Sequence, residues 1–415
     1  MRHLHGNRDF STTLPGNRAW HASLHSDPGG RLRTPHRLSG RRALATRFGV
    51  FQMNLAAEPV FRRITGWPPI SKTKCAVFLV VLLLASSFFG CSKPQAEGAQ
   101  EIWRFAIEET QGSVQDTYAK RFEQLIEERT DGEVDVVVYP YGTLGTSDHI
   151  LEQLHNGTLD FAMSSPGHLG KFIPEVQVFL LHFLMSDDEA VNICALQKPE
   201  VRAFLDKLYL EKGLHFLSAI SEGAMAWTTR EAVRTPDDFD GMKFRVMTSP
   251  LLIAAYEAYG ASPTPLPYSE VYSALQLRMI DGQVNPVFAI EEMSFYEVTD
   301  WLIFPNHAYF IATVAGSPKF FERLSPSRRE LVEHVINQLQ GEIETIQQRF
   351  NRKRLESIEE RKPEMNVVRL DEAQRARFRE AAAPMRKKFI ELAGERGQQL
   401  LRTLRAAVTD CAARN

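Results

Sequence analysis

Cysteine is scarce in this chain, with four residues in 415 and no CxxC pair. That spacing excludes a disulfide-framework fold and a cysteine-based zinc site. Cys75 and Cys91 lie near the front, so Cys194 and Cys411 are the two left to pair in the body. Cys194 reads as a buried thiol. Motifs of covalent and nucleotide chemistry are missing as well. Beyond residue 91 there is no GxSxG elbow, no HExxH, no Walker loop and no GxGxxG. The run Asp281-Gly-Gln-Val-Asn285 lacks the spaced carboxylates of a calcium loop. His149, His155, His168, His182, His215 and His307 stand at no ligand spacing, so structural roles are expected of them. No catalytic residue, metal or cofactor is expected, and the chain does not read as an enzyme.

A net positive charge is absent from most of the chain and confined to its front. Residues 1–90 carry eleven Arg and two Lys against Asp9, Asp27 and Glu58, a net of +10. Against a total of −2, the rest carries −12. An acidic body excludes a nucleic-acid binder, which needs clustered cations to displace counterions. Residues 1–70 have no hydrophobic periodicity and read as a disordered or untranslated leader, with Met53 an alternative start.

From Cys75 to Gly90 run sixteen uncharged residues, preceded by Lys72 and Lys74. A basic flank, a short apolar stretch and small residues before a cut site describe an export signal, here over 71–90. At about 1.5 Å per residue the run is too short to span a ~30 Å hydrocarbon core comfortably. Phe88-Phe89-Gly90-Cys91 resembles a bacterial lipobox, which predicts acylation of Cys91. Residues 91–100 then form a tether. The expected location is periplasmic or extracytoplasmic, with a lipid anchor in the membrane.

Strand and helix patterns alternate after residue 100. IWRFAIE and VDVVVYP are strands, and a helix over 114–130 places Tyr118, Phe122, Leu125 and Ile126 on one face. HILEQLHNG is a helix stopped at Gly157, followed by the strand TLDFAMS. HFLSAISE and AMAWTTRE read as two strands separated by Gly223. GMKFRVM is a strand, SPLLIAAYEAYG a helix, and YSEVYSALQLRMIDG a helix capped by Ser269. A charged helix runs over about 325–360. Such alternation predicts βαβ units, a largely parallel sheet and two α/β lobes around a cleft.

The segment 241–286, with FRV, GASPTPLPYSEVYSALQ and DGQVNP, resembles the solute-binding proteins of tripartite ATP-independent periplasmic (TRAP) transporters. YAKRFEQLIEERTDGEVDVVVYPYGTLG (118–145) and GTLDFAMSSPGHLG (157–170) support it. The resemblance implies a periplasmic-binding-protein fold of two α/β lobes, with a ligand cleft between them and a long helix bracing both. Lobe I is expected over 101–222 and lobe II over 223–310, with a return to lobe I over 311–415.

It also implies a site. Arg245 takes the place of the family's carboxylate-gripping arginine, suited by paired N–H donors on a planar guanidinium. Asn285 matches an asparagine that donates to the same carboxylate. Tyr268 falls where an aromatic faces the ligand, while Phe288 reads as core. Where some relatives carry a second arginine this chain has Met225, which with Trp227 suggests an apolar wall and a ligand with a single carboxylate. Glu109 and Ser164, at the ends of strands, are candidate polar contacts. The implied function is capture of a small organic acid for delivery to TRAP membrane permease subunits. Alternatives are a ligand sensor for a membrane receptor, or a periplasmic enzyme on the same scaffold.

Overall fold

The computed structural model describes residues 101–414. The leader, the export signal, Cys91 and the tether lie outside those residues. Ten strands occur among the described residues: β1 (Glu101–Ala106), β2 (Val134–Tyr139), β3 (Phe161–Ser164), β4 (His215–Thr229), β5 (Lys243–Val246), β6 (Ser262–Pro265), β7 (Gly282–Pro286), β8 (Trp301–Phe304), β9 (Tyr309–Gly316) and β10 (Asn366–Arg369). They are hydrogen-bonded in the order β2-β1-β3-β9-β4-β7-β5-β6, with β8 joining β4 to β10.

The first half of this order is a βαβ unit. Helix Val114–Arg129 starts at Ser113, whose side chain accepts from Asp116 N, and buries Tyr118, Phe122, Leu125 and Ile126. Phe122 meets Phe105 edge-on at 5.4 Å and Phe161 at 5.0 Å, so the expected helix face is the one packed on β1 and β3. Helix Ser147–Asn156 ends at Gly157 in the left-handed region, as expected of a glycine stop.

The sheet is mixed rather than largely parallel. β9 is antiparallel to β3 and β4, and β4 is antiparallel to β7 and β8. The two strands expected on either side of Gly223 are one strand of fifteen residues. Residues 215–224 of β4 pair with β9, and residues 225–229 pair with β7. The register shifts between Ser221 and Ala224, around Gly223 at φ +117°. A Cβ on Gly223 would lie 2.5 Å from Asn351 Nδ2, so a side chain is excluded by both conformation and contact.

Asn351 belongs to the long helix Pro326–Arg361, 36 residues and about 54 Å in length. Val332, Val335, Ile336, Leu339 and Ile343 enter the core beneath β1 and β3, whereas Ile358 enters the core beneath β8 and the end of β4. Between them Gln340 Nε2 donates to Ala219 O, and Asn351 Nδ2 donates to Glu222 O. The helix therefore braces both halves of the sheet and grips the crossing point of β4. Because it carries the chain that far, β10 within 311–415 pairs with β8 and not with the strands of the first half.

Two local expectations are corrected. Ser269 does not cap a long helix; Tyr268–Glu270 form a 3₁₀ turn entered through Pro267, and the α-helix is Val271–Gln276. Cys194 is not a free thiol but is bonded to Cys411, 217 residues away, with Cα atoms 6.0 Å apart. The bond ties the end of helix Ala383–Ala412 to helix Glu189–Gln197.

Candidate ligand-binding site

Parallel strands deliver their carboxyl ends to one place. The loops after β1, β2 and β3 supply Glu108, Glu109, Tyr141 and Ser165; β5, β6 and β7 supply Arg245, Met247, Tyr268 and Asn285. Together with Gln115, His168 and Phe310 they line a cavity of about 160 Å³. This is where ligands bind in open α/β sheets, because strand ends leave a crevice there and loops can reach into it.

Arg245 is 2% exposed. Its Nε and Nη2 both donate to Leu266 O, at 3.1 and 2.9 Å, which fixes the plane of the guanidinium. No carboxylate pairs with it among the described residues. Burial without a counter-ion depresses its pKa to about 10. A buried cation held by one neutral carbonyl, with Nη1 committed to no protein acceptor among those residues, has donors free for an anion. Asn285 stands beside it, with Nδ2 donating to Gln283 Oε1 at 2.5 Å and its other polar positions uncommitted. Tyr268 donates to Ala289 O at 3.3 Å and meets the Tyr141 ring at 6.0 Å. These rings and Phe310 supply apolar walls.

The opposite wall is acidic. Glu109 is buried and bonded through Oε2 to Gln115 N. Glu108 accepts from Ser165 N at 2.8 Å and lies 3.4 Å from His168 Nδ1. Behind them Glu222 of β4 accepts from Gln115 Nε2 at 2.9 Å, and Glu292 accepts from Thr110. Burial, then repulsion from Glu222, pushes the Glu109 carboxyl well above the usual range. Burial raises Glu222 to about 7 and Glu292 to about 8. Glu108 and Glu109, backed by Glu222 and Glu292, share the cavity with one uncompensated guanidinium and make it bipolar.

Of the seven residues expected to touch ligand, Arg245, Asn285, Tyr268 and Glu109 line this cavity. The other three do not. Trp227 is fully buried, its Nε1 donating to Tyr256 OH at 2.9 Å, with Phe239 and Phe378 packed edge-on. Strand alternation turns it to the core. Met225 lines a neighbouring apolar pocket with Val284, Leu252 and His307. Ser164 is still within β3, where its carbonyl accepts from Thr313, and the next residue, Ser165, reaches the cavity. The expected apolar Met225–Trp227 wall is thus replaced by an acidic one. Glu108 and Ser165 were legible as loop positions after strands, whereas Gln115, Glu222 and Glu292 carry no motif of their own. Among the described residues, no cluster of His, Cys, Asp and Glu is arranged to hold a metal ion.

Residues 105–392 match the family model of the bacterial extracellular solute-binding proteins, family 7. The chain is 39% identical over 307 residues to the ectoine/5-hydroxyectoine-binding periplasmic protein of Ruegeria pomeroyi, covering 74% of this chain and 90% of that one. The periplasmic ectoine-binding protein of the TeaABC TRAP transporter of Halomonas elongata superposes with a TM-score of 0.72 at 39% identity, over 75% of this chain and all of that one. A TRAP periplasmic solute-binding protein from Desulfovibrio salexigens with bound orotic acid gives a TM-score of 0.71 at 28% identity, over 75% and 99% of the two chains.

Proposed function

The chain belongs to the bacterial extracellular solute-binding proteins, family 7, and from that premise we propose that its ligand is a compact zwitterionic carboxylate of the ectoine kind. Members of the family are periplasmic receptors for small solutes and work with TRAP membrane subunits, and this chain is such a receptor. The observation that carries the ligand reading is the bipolar cavity. Arg245 receives the carboxylate in a forked pair of hydrogen bonds, with Asn285 beside it. Glu109 and its acidic neighbours receive the cationic end, and Tyr141, Tyr268 and Phe310 enclose the ring between them. Ectoine joins a carboxylate to a cyclic amidinium, and two relatives named for ectoine share close to two-fifths of their residues with this chain. The protein is read as a receptor without turnover, returning its ligand unaltered.

Titration calorimetry of ectoine, 5-hydroxyectoine, succinate and galactonate tests this. Ectoine or its hydroxy derivative should bind, and the anions should bind about two orders of magnitude more weakly, since succinate would set a second negative group against Glu109 and galactonate would offer it no cation. Succinate or galactonate binding more tightly than both ectoines would refute the zwitterion reading.

A lipid anchor at Cys91 is part of the same proposal and rests on the apolar run ending in Gly90-Cys91. A fatty-acid probe fed to cells should label the wild-type protein and not Cys91→Ala. Equal labelling of the two, or none in either, leaves simple secretion.

A further inference from the structure

Glu222 does not line the cavity, yet it is fully buried on β4 directly behind Glu109, beside the Gly223 crossing point. The two side chains are brought together on one residue, Gln115 N lying 3.1 Å from Glu109 Oε2 and Gln115 Nε2 2.9 Å from Glu222 Oε1. A carboxylate has no donor of its own, so two buried carboxyl groups in such proximity must share a proton. Gln115 holds the pair in place from the helix side. Glu222 Oε2 is buried without a hydrogen-bond partner among the described residues, on the carboxyl that would take the shared proton.

The surroundings add no cation to replace that proton. Ser113 also bonds Glu109, and the nearby carboxyls of Glu108 and Glu292 add no positive charge. From the long helix, Asn351 bonds the Glu222 carbonyl and Gln347 is neutral, while Arg354 is engaged by Glu291 at 2.8 Å. His168 is taken up with Glu108, and Tyr268 faces the cluster as a neutral phenol. Arg245 lies on the other wall, bonded to Leu266 O.

We infer that Glu222 is a specificity-determining residue: it holds one proton jointly with Glu109 in the ligand-free protein, and the ligand's cationic group displaces that proton to solvent. The inference rests on the zwitterionic reading of the ligand. In the free state the site presents a singly protonated acid pair with one negative charge and avoids two adjacent buried charges. On binding, the cation takes the proton's place, so a carboxylate lacking a cation finds no such exchange. Affinity for a zwitterion then rises with pH while the pair is protonated in the free protein, because each proton released adds a unit slope.

Calorimetry with ectoine as probe, at pH 7 in phosphate and in Tris, counts the protons released from the dependence of heat on buffer ionisation. Wild type should release about 0.5–1 proton per ligand, with Kd falling by up to about tenfold per pH unit from pH 5 to 7. Glu222→Gln should release fewer protons and show a shallower profile, because Glu109 keeps the elevation due to its own burial and loses the part due to Glu222. Glu297→Gln should keep the release, since Glu297 is exposed, bonds Tyr272 and does not line the cavity. The shared proton is also read without ligand. The infrared difference between ligand-free wild type and Glu222→Gln at pH 7 should contain a carboxylic-acid C=O band, from which the contribution of Glu292 cancels. A missing band, or equal proton release in wild type and Glu222→Gln, overturns the inference. If ectoine does not bind, the ligand reading fails while the infrared arm still decides the shared proton.

Discussion

Replacing Arg245 by alanine is expected to weaken binding of the cognate carboxylate by about two to four orders of magnitude. The guanidinium is 2% exposed and has no counter-ion among the described residues, so the ligand's carboxylate would be its first. Removing one member of a buried charge pair costs roughly 3–5 kcal/mol, because the other is left in a poor dielectric. At about 1.4 kcal/mol per decade this gives the stated loss. Lysine should recover part of it, keeping the charge but losing the forked geometry. Asn285→Ala should cost less, roughly 1–3 kcal/mol, as one of its amide protons is already committed to Gln283.

The unliganded variant should be no less stable in proportion. Burial pulls the Arg245 pKa down from its ordinary value to about 10, so holding the cation opposes folding at every pH below that. Alanine or methionine removes that opposition and loses the two hydrogen bonds to Leu266 O. Melting temperatures within a few degrees of wild type are expected, beside a collapsed affinity. A folded Arg245→Ala that binds within threefold of wild type would show that the carboxylate is held elsewhere.

Cys411→Ser is expected to destabilise the protein by about 5 kcal/mol while leaving ligand affinity nearly unchanged. The Cys194–Cys411 bond closes a loop of 217 residues. In the chain-entropy relation, opening a loop of that length returns about 5 kcal/mol of freedom to the unfolded chain. For a body of this size the melting temperature should drop on the order of 5–10 °C. Reducing the wild type should reproduce the shift. The bonded helices are remote from the cavity, so Kd should change less than about threefold. Oxidised, reduced and mutant proteins melting within a degree of each other would assign the bond no stabilising role. A lasting disulfide also suits an exported protein, since thiols are kept reduced in the cytosol.

Helix Val114–Arg129, helix Ser147–Asn156 with its Gly157 stop, and the long helix beginning at Ser325 were all legible in the sequence. Each is written in neighbours three and four residues apart, so the pattern and the packed face are the same information. The strand ends carrying Glu109, Arg245 and Asn285 were legible for a similar reason. A βα unit places the residues after a strand at its carboxyl end, and a motif marks which of them face a ligand. Two strands were read where β4 is one, because a glycine at positive φ interrupts the local pattern without ending the ladder.

What the sequence by itself determined was therefore many of the local elements and the family, and it offered Arg245 as the cation of the candidate site. Only the tertiary structure decided what that cation faces. Trp227 was assigned to the ligand and points to the core, because one step along a strand reverses the face. Gln115 and Glu222 are 107 residues apart, and Glu109 and Glu292 come from opposite halves of the sheet. Cys194 and Cys411 are farther apart still. Local periodicity records a residue's neighbours along one element and nothing of which distant element lies opposite. The acidic wall, the shared proton and the disulfide all depend on packing between elements, and they exist only once the chain has folded.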